Sequence, residues 1–89
     1  MIKYNIVVVY NNYKAEIIKT FLSHKDSIEY LSYMIDKNYK GNEETNYKVY
    51  YDSKDVITVF NLGYFSKTMH AKYYIIMYED LIDDELNDE

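Results

Sequence analysis

The sequence contains no cysteine, proline, tryptophan or arginine, and only two glycines. Without cysteine there is no disulfide framework, no thiolate zinc site and no thiol nucleophile, so 89 residues must be held by packing or by a partner. The lack of arginine removes the planar guanidinium fork that reads phosphate and guanine, leaving lysine as a point charge. Gly41 and Gly63 stand alone, so no glycine-rich loop cradles a phosphate. The strongly apolar N-terminal run, Ile6 to Val9, is too short to span a membrane and lacks a small-residue cleavage site. No signal peptide or membrane anchor is expected, and the expected setting is intracellular and cytoplasmic.

Lysine, asparagine, isoleucine and tyrosine abound instead. All four have AT-rich codons, so the thirteen tyrosines partly reflect coding rather than chemistry. Charge is divided unevenly. Residues 1–78 carry ten lysines against eight acids, a balance of +2, whereas residues 79–89 carry seven acids and no lysine, a balance of −7. The expected organisation is a single α+β domain over 1–78 and an acidic tail over 79–89.

Along the chain, Ile2 to Tyr10 alternates with Ile2, Tyr4, Ile6, Val8 and Tyr10 on one face, which predicts a central strand. Asn11-Asn12 suits the left-handed backbone of a tight turn. Residues 14–23 fit either a helix, through Ile17-Ile18 and Phe21-Leu22, or a strand, and the strand is preferred because the next segment carries its own helix start. There Asp26 with Glu29 three residues later predicts a capping box. Ile28, Leu31, Ile35 and Tyr39 form the apolar stripe of a helix over about 26–39, with Gly41 as its stop. Residues 47–51 and 56–62 predict a hairpin, Gly63 with Ser66, Lys67 and Thr68 a loop, and 71–78 a last strand. The expected fold is a small antiparallel sheet of four or five strands, ordered β-β-α-β-β-β, with one helix on one face.

The runs VFNLGYFSKTMHAKYYIIMYED and FLSHKDSIEYL resemble a layout of short uncharacterised proteins encoded by large, AT-rich double-stranded DNA viruses. The resemblance implies a viral origin and the same fold order, and no activity or catalytic residue.

Catalytic chemistry has little to build on. His24 and His70 have only Asp26 and Ser66 as sequence neighbours of the right type, and neither sits in a ligand spacing; both are expected in half-exposed loops. Asp52 and Asp55 flank a turn, and Glu43 and Glu44 share a polar loop, ordinary places for acids. The expectation is a protein that is not an enzyme and has no cofactor or metal.

The aromatic residues say more. Val56, Thr58 and Phe60 oppose Ile57 and Val59, and Tyr74, Ile76 and Tyr78 oppose Tyr73, Ile75 and Met77, so both faces are apolar or aromatic, and one helix of about 21 Å covers one side of such a sheet, not both. The second face has three destinations: a tolerated wet surface, a protein interface, or a platform on which nucleobases stack beneath Lys3, Lys14, Lys48, Lys54, Lys67 and Lys72. Nucleic acid is disfavoured by the missing arginine and by a tethered charge of −7. The reading is therefore a non-enzymatic protein-interaction module, a viral accessory protein forming a homodimer or binding a host or viral protein through Tyr50, Phe60, Tyr64, Phe65, Tyr74 and Tyr78. The alternative is an acidic nucleic-acid mimic that inhibits a basic host or defence nucleoprotein through Glu79, Asp80, Asp83, Asp84 and Glu85; as the plain counterpart, the tail only solubilises.

Overall fold

The computed structural model describes residues 1–40, 46–63 and 65–79. Strand β1 (Ile2–Tyr10) follows the expected alternation, with Ile6 and Val8 fully buried on its even face. It turns into β2 (Ala15–Phe21), so the ambiguous segment is a strand. The residue in left-handed backbone at this turn is Tyr13, at φ 65°, and not Asn11 or Asn12. Asn12 contributes differently, its side-chain oxygen accepting the Lys14 amide at 3.0 Å while the Tyr13 amide donates to the Tyr10 carbonyl. The helix-like pair Ile17-Ile18 has its own explanation. Lys19 lies opposite Ile6 and Ile17 opposite Val7, so Ile18 is the extra residue of a β-bulge and packs against the core.

Helix α1 (His24–Ile35) starts two residues before the expected position. Its N-cap is Ser23, whose hydroxyl accepts the Asp26 amide at 3.2 Å, and not Asp26 itself. Asp26 sits in the first turn, where its charge still meets the positive end of the helix dipole. After Ile35 the backbone widens into a π-helical turn, Asp36–Lys40, which carries Tyr39 back over the sheet. The expected stop at Gly41 lies outside the described residues.

Strands β3 (Tyr47–Tyr51) and β4 (Val56–Leu62) form the expected hairpin, and β5 (Lys67–Glu79) begins four residues earlier than its sequence suggests. Lys67 and Thr68 are therefore strand, not loop. The cause is a second bulge: Ala71 pairs with Val59 and Met69 with Phe60, so His70 is skipped and pairing continues to Lys67 opposite Leu62. A tight turn closes that end, the Gly63 amide donating to the Ser66 carbonyl at 2.7 Å.

All pairings are antiparallel in the order β2-β1-β5-β4-β3. The sheet is staggered about β5. Its residues 71–79 pair with β1 and its residues 67–74 pair with β4, so only the middle of the strand is bonded on both sides. The core lies between the sheet and α1, where Ile6, Val8, Leu31, Ile35 and Val59 are all but sealed from solvent. Each such side chain contributes ~1.5–3 kcal/mol by leaving water. The result is the expected α+β arrangement: five antiparallel strands with one helix against one face.

Candidate docking face

Two polar clusters on the helix side need to be told apart from a site. His24 pairs with Asp55 (Nε2 to Oδ1, 2.6 Å) and stacks on the Tyr4 ring at 5.0 Å. Its partner is thus Asp55 from the β3–β4 connection rather than its sequence neighbour Asp26. The pair ties the start of α1 to a hairpin that is remote in sequence. Secondly, Tyr39 gathers three rings edge-on, those of Tyr47, His70 and Tyr73, and its hydroxyl is 2.6 Å from that of Tyr73. His70 lies in the β5 bulge, where its ring packs on Tyr47, and not in a loop. Burial pushes the pKa values of Tyr39 and Tyr73 above the ordinary phenol range. The tyrosine cluster satisfies polar tips inside an apolar layer, whereas His24 and Asp55 form a part-exposed tie at its edge. Among the described residues no group of three or more acids and histidines is placed to hold a metal.

The opposite face of the sheet is different in kind. Cross-strand register lays its side chains in rows. One row runs Ala15, Val9, Lys72, Thr58, Tyr50 across all five strands, and beside it runs Ile17, Val7, Tyr74, Val56. Further rows are Thr20, Asn5, Ile76 at one end and Lys48, Phe60, Met69 at the other. Among the described residues no helix or strand lies over these rows. Val7, Val9, Val56, Phe60, Tyr50 and Tyr74 are half-buried by one another, whereas Ile17 and Ile76 are 63% and 47% exposed.

Lysines roof the rings. The Lys67 ammonium lies 4.5 Å from the centre of Phe60 and 4.8 Å from that of Tyr50, and donates to the Tyr50 hydroxyl at 3.3 Å. Lys48 approaches Tyr50 from the other side at 5.5 Å, and Lys72 stands 5.6 Å over Tyr74. Tyr50 and Phe60 meet edge to face at 5.2 Å. The hydrogen bond from Lys67, backed by the charges of both lysines, draws the Tyr50 phenol below its ordinary pKa. Asp52, the carboxylate at this edge, is engaged by the Thr58 hydroxyl.

Of the interaction residues proposed from sequence, Tyr50, Phe60, Tyr74 and Tyr78 lie on this face, and all four are half-buried. Phe65 is exposed in the β4–β5 turn, outside the strands that form the rows. Tyr64 lies outside the described residues, as do Asp80, Asp83, Asp84 and Glu85; Glu79 is the last residue of β5, opposite Ile2. Sequence reasoning missed the seating of Lys67 on the Tyr50 and Phe60 rings, because a residue assigned to a loop has no face. Parity gave no help, since counting back from Tyr74 places Lys67 and Met69 on the helix side, and only the bulge at His70 brings them to the Phe60 side. Compared with known protein families, curated proteins and solved structures, the chain matches none of them.

Proposed function

We propose that this protein is a non-enzymatic interaction module that docks onto a protein partner, a second copy of itself in the first instance, through the outer face of the sheet. The observation that supports this reading most strongly is the contrast between a helix-covered core and a second continuous layer of Val, Ile, Phe and Tyr that no described element covers. Half-buried tyrosine and phenylalanine with exposed isoleucine are the composition of a docking surface, where rigid rings bury area at little entropic cost. No helix of the described structure is long and apolar enough to cross a membrane.

Light scattering over a concentration series tests it, with wild-type chain and the double variant Tyr50→Asp, Ile76→Asp. The expected result is a mass that rises towards a dimer for the wild type and stays monomeric for the variant. A wild-type mass constant at one chain at every concentration overturns the self-association.

A further inference from the structure

We infer that the occupant of the lysine-roofed end of this face is the acidic C-terminal segment, residues 80–89, of a second copy of the chain. The inference rests on the docking reading above and names what docks. Charge is the first argument. Lys48, Lys67 and Lys72 stand over Tyr50, Phe60 and Tyr74, and Asp52 beside them is already engaged by Thr58. DLIDDELNDE carries six acids and no base, with Leu81, Ile82 and Leu86 as apolar side chains for the rings. A sequence of that kind supplies both halves of what the face offers.

Reach is the second argument, and it separates the Lys67 end of the face from the end that a chain's own tail can cover. Glu79 and Lys67 are the two ends of β5, and twelve steps of strand separate them by about 40 Å. The ten residues beyond Glu79 span at most about 36 Å when fully extended, and they must first reverse direction. The tail of the same chain can therefore lie over Tyr78, Ile76 and Tyr74 but falls short of the Lys67 end of the strand. In a second copy the geometry is favourable: when two outer faces meet about a two-fold axis that lies between them, level with the middle of β5, Glu79 of one protomer stands level with Lys67 of the other, and the exchange becomes reciprocal.

The experiment measures mass by light scattering for four samples, each checked for folding by circular dichroism. These are the full chain, a chain ending at Glu79, the charge-reversed Lys48→Glu, Lys67→Glu chain, and an equimolar mixture of the last two. The expected result is a dimer for the full chain and monomers for each altered chain. In the mixture a heterodimer returns, because one partner keeps the face and the other keeps the tail. The full-chain dissociation constant should rise about tenfold from about 0.1 M to about 0.5 M salt, as the screening length falls from ~10 Å to ~4 Å. A dimer that survives loss of the tail yet is lost in the Tyr50→Asp, Ile76→Asp variant overturns this inference and leaves the docking face standing. A full chain that stays monomeric, or a dimer indifferent to every face substitution, overturns both. A single-stranded oligothymidylate bound by the full chain at the same salt also overturns it, by showing that the lysines and rings receive bases instead.

Discussion

The two faces of the sheet carry nearly the same residue types and treat them oppositely. On the helix side the tyrosine tips are turned inward and paired, Tyr39 with Tyr73, and desolvation lifts both phenols above their usual range. On the outer side Tyr50 holds its hydroxyl under Lys67, and the ammonium lowers its pKa. The difference shows that tyrosine content says little until the fate of each hydroxyl is known. Where another hydroxyl meets it under cover, the ring is core; where a lysine stem shades it, the ring is a surface kept soluble by its own cation.

The sharpest way to break this comparison is to remove one large side chain from each face. Leu31→Ala, at a fully buried position against the sheet, should cost about 2–5 kcal/mol through lost transfer energy and a residual cavity. Phe60→Ala, on the half-buried outer face, should cost clearly less, because solvent fills the space. Urea unfolding of the two variants checks the ranking, and equal losses would mean the outer face is sealed in solution.

A smaller effect is expected at Tyr73→Phe, which leaves the Tyr39 hydroxyl without its partner in a partly dry site, at a cost of about 1–2 kcal/mol. The same pair gives the protein a pH limit. Tyr73 ionises near pH 10 when unfolded and only above that when folded, so its contribution is complete below about pH 10 and is lost as pH rises further. Wild-type stability should therefore fall through the alkaline range, and Tyr73→Phe should flatten that fall. A curve of the same slope in both proteins would assign the alkaline loss to other groups.

These outcomes also bear on what was legible beforehand. Alternation in β1 and the Leu31, Ile35 stripe announced the helix-covered core, because period-two and helical patterns survive in a short chain. Both bulges were hidden, since an extra residue such as Ile18 or His70 shifts parity without leaving a mark in composition. The helix start was misplaced because Ser23 and Asp26 are both good caps, and only the extended backbone at Ser23 decides between them. Of the outer face, the aromatic members were readable from parity within each strand. The seat of Lys67 was not, as it depends on the bulge at His70, which moves Lys67 to the face of Tyr50 and Phe60.

The helix that makes one face a core also depends on that cap. Ser23→Ala removes the acceptor of the Asp26 amide and should cost about 1 kcal/mol, read as a lower urea midpoint at unchanged slope. Losing the cap should leave the outer face as it was, so a full-chain dimer should keep its affinity per folded molecule. A parallel loss of self-association would instead tie the docking face to the helix.

The smallest effect concerns the lysine roof itself. Lys67→Gln removes a cation from above two rings and a donor from the Tyr50 hydroxyl, in a place open to solvent, so folding stability should change by less than about 1 kcal/mol. The titration of Tyr50 should nevertheless move, because the hydrogen bond from Lys67 is the first cause of its lowered pKa. With the ammonium gone, the phenolate loses its nearest stabilising charge and the midpoint should climb back towards the ordinary value, while Lys48 holds it partly down. Ring-proton chemical shifts followed against pH give that midpoint directly. A Tyr50 midpoint unmoved by the substitution would show that Lys67 points elsewhere in solution, and the roof over Tyr50 and Phe60 would no longer distinguish this face from the one beneath the helix.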